Sequence, residues 1–325
     1  MNFIDLHCDT LTVFADREHP GSLFANESGV DFQKMKAGGV TAQFFAVWLP
    51  EEAWWKSREL TPMADEVYLR LLSEHFYREL EAHGDIIGFA GNEADLIRNE
   101  KGGRMSAFLT LENSRILAGD LTNVEVCYQK GIRLMTLTWN DPNCLGAAHS
   151  EDSKRMGTGL TPFGREAVRR MEELGIAVDV SHLSDGGFWD VADVLKGPFL
   201  ASHSNARALA GNTRNLTDEM IKKIGDRGGV IGLNFAPQFL NPDLAADVSR
   251  ISCLCAHAAH IRNKGGAECL ALGTDLDGIE GELEIPGSRE LPLLWEALKN
   301  YGFTESELEK FGAGNARRFI GDVMR

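Results

Sequence analysis

Three histidines and three carboxylates of this sequence are of the kinds that bind metal ions, and each stands at the end of a short apolar run: His7, Asp9, Glu112, His182, His203 and Asp275. Residues two apart on a strand face the same side, so His7 and Asp9 are predicted to project together while Cys8 points away. Imidazole nitrogens and carboxylate oxygens are typical ligands of zinc and similar divalent ions. Six such groups exceed the needs of one ion, which predicts a centre of two divalent ions, Zn²⁺ being the expected metal.

One of these carboxylates is predicted to join the two ions. Paired ions about 3.5–4 Å apart can share a carboxylate whose two oxygens bind one ion each. Glu112 stands alone at the end of its run, and we predict that it is this bridging, catalytic carboxylate. His7 and Asp9 would then complete one ion site, and His182 and His203 the other. Asp275 is left for proton transfer as the general acid and base.

A barrel of parallel strands would bring these distant residues to one place. Short apolar runs alternate with longer amphipathic stretches, as in βα units. Eight runs are predicted strands: Phe3–Leu6, Val40–Leu49, Met105–Leu111, Ile132–Thr138, Ile176–Val180, Pro198–Ala201, Val230–Asn234 and Cys269–Gly273. Helices are predicted over Met63–Glu81, Pro162–Leu174, Ser184–Leu195, Leu216–Gly225, Ala245–Lys264, Leu291–Tyr301 and Glu305–Phe311. No repeat or linker divides the chain, so we predict one (β/α)8 TIM barrel domain over residues 1–325, with its active site at the C-terminal ends of the strands.

The composition limits the classes of partner. Lys and Arg number 33 against 48 Asp and Glu, which gives a formal net charge of −15. Such a surface repels phosphate groups, so we expect the protein to bind neither nucleic acid nor an anionic membrane. The sequence has no signal peptide pattern and no apolar run of about 18 residues. Its six cysteines are sparse and form no paired CxxC set, so we expect a cytoplasmic location without disulfides.

The motifs around these residues resemble those of the membrane dipeptidase (renal dipeptidase) family of zinc metallopeptidases, over nearly the whole chain. They are HCD at residues 7–9, TLEN around Glu112, DVSH ending at His182, SHSNAR around His203, TRNLTDE around Arg214 and LGTDLDG around Asp275. The resemblance implies that His7 and Asp9 bind the first zinc, that Glu112 bridges, and that His182 and His203 bind the second.

The resemblance also implies a reaction. A hydroxide held between the zinc ions would attack the peptide bond of a dipeptide, with Asp275 as acid and base. Arg214 would grip the C-terminal carboxylate of the dipeptide, a task that suits the two-pronged guanidinium group. Tolerance of a D-residue at the C-terminal position and a homodimeric state are expected from the relatives alone.

The sequence departs from the family at one position. Mammalian members carry a histidine after the LT of the fourth strand, where it is thought to stabilise the oxyanion of the tetrahedral intermediate. This sequence has Trp139 and Asn140 there. We expect both residues to contact the substrate, with the indole N–H or the amide as the replacement hydrogen-bond donor.

Other interpretations of the same residues exist. A related dimetal barrel of amidohydrolase type would act on a lactone, a cyclic amide or a phosphoester, and an inactive metal-binding barrel would serve as a binding protein. His257 and His260 lie three residues apart but have no carboxylate at a suitable offset, so they are predicted to pack on a helix face. Trp54 and Trp55 are expected either to cap the substrate pocket or simply to pack beside it.

Overall fold

The computed structural model describes residues 1–15, 21–243 and 245–325. Its strands are β1 (Phe3–Cys8), β2 (Val40–Trp48), β3 (Ile87–Phe89), β4 (Met105–Glu112), β5 (Ile132–Thr136), β6 (Ala177–Asp179), β7 (Leu200–Ala201), β8 (Val230–Leu233), β9 (Val248–Ser249), β10 (Leu270–Leu272) and β11 (Glu282–Leu283). Its helices are α1 (Thr10–Val13), α2 (Phe32–Gly38), α3 (Glu52–Ser57), α4 (Asp65–Ala82), α5 (Glu93–Lys101), α6 (Thr122–Gln129), α7 (Ser153–Met156), α8 (Pro162–Leu174), α9 (Asp185–Val194), α10 (Asp218–Asp226), α11 (Pro237–Leu240), α12 (Ile251–Gly265), α13 (Leu291–Tyr301), α14 (Glu305–Glu309) and α15 (Asn315–Val323).

The main sheet closes into a ring. Its parallel strands run in the order β2-β1-β10-β8-β7-β6-β5-β4-β3, and β2 also pairs with β4. This last pairing closes a barrel of eight strands, the eight that the sequence predicts, so the (β/α)8 prediction is confirmed. The short strand β3 was not predicted and lies outside the ring, where it pairs with the first residues of β4.

Two apolar layers hold the barrel together. Every barrel strand contributes to an inner cluster, in which Phe44 and Phe108 stack with ring centroids 4.4 Å apart. Phe319 and Ile320 of α15 complete this cluster. A larger outer cluster fills the space between the strands and the surrounding helices. Alternation of inner and outer residues along each strand is what a closed sheet covered by helices requires.

Most predicted helices agree with the structure within two residues, and α8 agrees at both ends. Thr161 caps α8 by accepting a hydrogen bond from the backbone N–H of Gly164 (2.9 Å), with Pro162 in the first turn. The helix predicted from residue 245 begins later, at Ile251, because Val248 and Ser249 pair with β11 instead. No helix of the described chain is both long and apolar enough to cross a bilayer.

Candidate metal centre and active site

The side chains predicted to bind the first ion meet at the C-terminal ends of β1, β4 and β10. His7 Nε2 lies 3.2 Å from Asp9 Oδ2, 3.6 Å from Glu112 Oε2 and 3.7 Å from Asp275 Oδ1. All of these side chains are buried. His7, Asp9 and Asp275 can offer ligand atoms that lie within 4.8 Å of one another, so the carboxylate predicted to transfer protons belongs to the same cluster.

The side chains predicted to bind the second ion gather at the other oxygen of Glu112, and the ring of His203 also stacks on that of His7, with centroids 3.8 Å apart. His182 Nε2 is 3.0 Å and His203 Nε2 is 3.4 Å from Glu112 Oε1, and the two nitrogens are 3.1 Å apart. Glu112 therefore faces His7 with one oxygen and the other two histidines with the second. This is the arrangement that a bridging carboxylate needs.

A break in the pairing of β1 brings His7 and Asp9 into this cluster. Leu6 belongs to the inner apolar cluster, and strict alternation would also turn Cys8 inward and His7 outward. The register between β1 and β2 shifts between Asp5 and Cys8, and the side chain of Cys8 packs in the outer cluster. The shared face of His7 and Asp9 was predicted, but the irregularity that turns this face inward was not.

Two residues of the centre adopt left-handed backbone conformations, with φ of 67° at His182 and 61° at Asp275. For a residue other than glycine, this conformation costs roughly 1–2 kcal/mol. Backbone bonds hold both positions, because His149 N–H donates to the His182 carbonyl (2.8 Å) and Asp275 N–H donates to the His7 carbonyl (3.1 Å). Such strain at non-glycine residues is typical of functional sites.

Hydrogen bonds outside the centre fix which nitrogen of His203 carries the proton. Ser202 Oγ donates to Asp179 Oδ2 (2.5 Å), a carboxylate that also accepts from Thr136 Oγ1 (2.6 Å). The single hydroxyl proton of Ser202 is thereby used, so its oxygen accepts from His203 Nδ1–H (2.7 Å). Nε2 of His203 is left with its lone pair directed at Glu112. Sequence reasoning missed the roles of Asp179 and Ser202, although both lie within the motifs that carry the site.

Burial and charge crowding shift the pKa values within the centre. Burial opposes charge on His7, but the neighbouring Asp9, Glu112 and Asp275 carboxylates raise its pKa to about 10. Burial raises the pKa of Glu112 well above its usual range and that of Asp275 to about 7, with nearby carboxylates adding to the shift. Burial lowers the pKa values of His182 and His203. The neutral imidazoles of His182 and His203 and the crowded carboxyl groups around His7 form a site that favours bound cations.

Arg214 is buried beside this centre. It donates from Nη1 to Ser204 Oγ (2.8 Å) and from Nη2 to the carbonyl of His203 (3.1 Å), while its Nε makes no hydrogen bond. Among the described residues no carboxylate approaches its guanidinium within 4.0 Å. Burial lowers its pKa to about 10, and the more distant carboxylates of Asp275 and Glu112 oppose this shift. A buried cation without an ion-pair partner is costly and is suited to receive an anionic ligand.

A cavity of about 1290 Å³ opens onto the centre, and Glu112, His182 and Asp275 lie in its wall. One side of the cavity is aromatic and includes Trp48, Trp54, Trp55 and Trp139. The Trp48 ring lies 4.9 Å from that of Trp139 and 5.6 Å from that of Trp54, between ring centroids. The tryptophan pair at residues 54–55 therefore lines the cavity. Asn140 lies in the same wall.

The segment that carries Trp54 and Trp55 is tied to the barrel by an arginine. Arg115 donates to Glu51 (2.9 Å) just before this segment and to Asp65 (2.8 Å) just after it. The ion pairs thus fix both ends of the aromatic wall relative to the strand end that bears Glu112.

Gly278 packs against the carboxylates of the centre. A Cβ at this position would lie 2.1 Å from Asp9 Oδ2 and 3.1 Å from Asp275 Oδ1. We therefore expect Gly278→Ala to displace Asp9 and to lower the metal content of the purified protein, as measured by elemental analysis. Gly211→Ala is the control, since a Cβ there meets nothing within 4 Å. Full metal content in Gly278→Ala would contradict the placement of the first ion.

The histidines of α12 have other partners. His257 Nδ1 accepts from the backbone N–H of Ala206 (3.1 Å), and its Nε2 donates to the Leu240 carbonyl (3.1 Å). His260 Nε2 pairs with Asp218 (2.6 Å). These contacts join α12 to its neighbours, in keeping with the prediction that the two histidines pack on a helix face.

Comparisons with known proteins agree with this geometry. The family model "Membrane dipeptidase (Peptidase family M19)" matches residues 1–325. An uncharacterised protein in the pqqA 5′ region of Klebsiella pneumoniae is 31% identical over 71% of this chain and 87% of its own length. Dipeptidase aclJ of Aspergillus oryzae is 26% identical over 90% of this chain and 70% of its own length.

Solved structures give the same result. Dipeptidase AC, a metallopeptidase of family M19, superposes with a TM-score of 0.89 at 25% identity and covers 100% of this chain and 99% of its own. A metallopeptidase from Rhodobacter sphaeroides, liganded with a phosphinate mimic of the dipeptide L-Ala-D-Ala, gives a TM-score of 0.90 at 24% identity over 99% of both chains. With its family model matched from end to end, the chain belongs to the membrane dipeptidase family, peptidase family M19, and is a hydrolase of the dipeptidase type.

Proposed function

We propose that this protein hydrolyses dipeptides at a centre that holds two Zn²⁺ ions. His7 and Asp9 would hold the first ion, His182 and His203 the second, and Glu112 would contribute to both. The family membership supports the substrate class, and the phosphinate dipeptide mimic bound to the Rhodobacter sphaeroides neighbour supports a site sized for a dipeptide. The same mimic motivates the proposal that a D-residue is accepted at the C-terminal position.

The observation that carries the proposal is the convergence of ligand atoms at Glu112. The proton positions derived above leave His203 Nε2 without a proton, so its lone pair faces Glu112 Oε1 and His182 Nε2. Ligand atoms 2.0–2.1 Å from a tetrahedral zinc lie about 3.3 Å apart. Here His182 Nε2 lies 3.0 Å from Glu112 Oε1 and 3.1 Å from His203 Nε2, and His203 Nε2 lies 3.4 Å from Glu112 Oε1. These spacings support a cation held between the three atoms, where it would accept the lone pair of His203 Nε2 together with those of His182 Nε2 and Glu112 Oε1.

The residues around the centre provide the remaining functions. Bound zinc ions would polarise the scissile carbonyl and lower the pKa of water toward neutrality. Asp275 accepts the proton of the attacking water at one carboxylate oxygen and returns it to the leaving amine. Its other oxygen accepts from Asn234 Nδ2 (2.8 Å), which keeps the first free to move the proton. Arg214 binds the C-terminal carboxylate of the substrate.

Steady-state assays on protein reconstituted with zinc test this function. We expect turnover of L-Xaa-L-Xaa and L-Xaa-D-Xaa dipeptides, loss of activity on chelation, and recovery when zinc is returned. N-acetylated tripeptides, lactones and phosphoesters are the comparison substrates. Turnover of the lactones or phosphoesters alone would replace the proposal with an amidohydrolase activity. Metal binding without turnover of any substrate would indicate a binding protein.

A further inference from the structure

The side chain of Asn140 connects the cavity to two histidines. Asn140 follows β5 and lies in the cavity wall with Glu112 and His182. Its Oδ1 is 3.2 Å from His182 Nδ1 and 3.0 Å from His149 Nε2. His149 comes from the loop that follows, and sequence reasoning did not single it out.

The proton positions along this series of hydrogen bonds follow from the chemistry of each atom. An amide oxygen only accepts, so both His182 Nδ1 and His149 Nε2 carry protons and donate to Asn140 Oδ1. His149 Nδ1 is then an acceptor that faces Thr213 Oγ1 (3.2 Å), whose single proton is shared between this nitrogen and Glu151 Oε1 (3.3 Å). If the amide were reversed, Asn140 Nδ2 would donate to His182 Nδ1, and the proton of His182 would then lie on Nε2. There it would point between Glu112 and His203 and block a metal ion. Only the first orientation is compatible with His182 as a ligand.

This orientation leaves the amide N–H₂ of Asn140 as a donor with nothing to bond. Its Nδ2 makes no hydrogen bond to any described residue, and the side chain borders the cavity. We propose that Asn140 donates this hydrogen bond to the substrate carbonyl oxygen as it becomes an oxyanion, and that His149 positions the amide. The inference rests on the proposed dipeptidase function.

His149 is suited to hold the amide still. Its ring contacts Asn140 on one side and Thr213 on the other, and its backbone N–H binds the His182 carbonyl (2.8 Å). Thr213 precedes Arg214, so the same imidazole links the loop that bears the proposed carboxylate-binding arginine to the donor at the reacting carbonyl. Two fixed contacts reduce the freedom of a side chain that would otherwise rotate at the cavity surface.

Two substitutions of Asn140 distinguish the role of its Nδ2 donor from that of its Oδ1 acceptor. Asn140→Asp keeps an acceptor for both histidines but removes the donor, while Asn140→Leu removes both. We expect both variants to retain two zinc ions, to lose about 10²- to 10³-fold in kcat with little change in KM, and to bind a phosphinate dipeptide mimic correspondingly more weakly by calorimetry. Wild-type kcat and mimic affinity in Asn140→Asp would overturn the donor role.

His149→Phe tests the positioning role, because it keeps the ring volume and removes both side-chain contacts. We expect about a 10- to 100-fold loss in kcat with unchanged zinc content, and partial recovery in His149→Gln, whose amide can donate to Asn140. His260→Phe is the control, since His260 is a half-buried histidine that pairs with Asp218, and both residues are distant in sequence from Asn140 and His149. A lowered melting temperature in His149→Phe with wild-type kcat and mimic affinity would make His149 purely structural.

These outcomes are distinct from failure of the proposed function. If the wild-type protein turned over no dipeptide, the proposed function would fail. Calorimetry with the phosphinate mimic would still report whether the Asn140 donor contributes to binding a tetrahedral oxyanion. Equal binding of the mimic to the wild type and to Asn140→Leu would then reject the inference as well.

Discussion

The Glu112→Gln variant is expected to lose at least one of the two proposed metal ions and about 10³-fold or more in kcat/KM. Both oxygens of Glu112 face histidine nitrogens, at 3.6 Å on one side and 3.0 and 3.4 Å on the other. An amide has nearly the same shape, but it lacks the negative charge and presents an N–H₂ group to one of these sides. Loss of metal ions removes several kcal/mol of transition-state stabilisation, and each 1.36 kcal/mol corresponds to about a factor of ten in rate.

Two measurements check this expectation. Elemental analysis counts the ions, and thermal unfolding with increasing zinc reports binding because a ligand of the native state raises its stability. The melting temperature of the wild type should rise with zinc and that of Glu112→Gln should rise far less. Glu81→Gln, on the exposed face of α4, is the matched control. Two tightly held ions and full activity in Glu112→Gln would contradict the bridging role.

The barrel and the residues that converge on it could be predicted because their signals are local. Buried strands appear as continuous apolar runs, and the C-terminal ends of parallel strands meet at one face of a barrel. His7, Glu112 and His203 were therefore expected at one rim, where the structure places them. Strand β3 was missed; its three residues lie outside the ring and pair only with the first residues of β4.

The features that the sequence did not reveal depend on contacts between distant segments. The left-handed conformations of His182 and Asp275 are held by backbone bonds to distant residues, namely His149 in a loop and His7 in β1. The close approach of Gly278 to Asp9 joins residues at opposite ends of the chain. The contact of His149 with Asn140 depends on how one loop folds back, which no periodicity records.

The Arg214→Met variant is expected to lose the selectivity for a free C-terminal carboxylate. Methionine keeps the length and the apolar stem of the side chain but removes the charge. Breaking a buried ion pair costs about 3–5 kcal/mol, so we expect kcat/KM for dipeptides to fall by about 10²- to 10⁴-fold. Dipeptide amides, which carry no carboxylate, should be poor substrates of the wild type and should lose little further activity in the variant. The ratio of the two kcat/KM values is therefore the measurement that matters.

A second arginine of the same loop provides the control. Arg207 donates two hydrogen bonds to Asp185 (2.8 Å each), so its partner is part of the protein. Arg207→Met should lower the melting temperature while leaving the preference for dipeptides over their amides intact. Arg214 has no such partner among the described residues, and in the ligand-free protein its removal relieves a buried charge. Arg214→Met should therefore fold at least as stably as the wild type, and retained selectivity in this stable variant would show that another group binds the carboxylate.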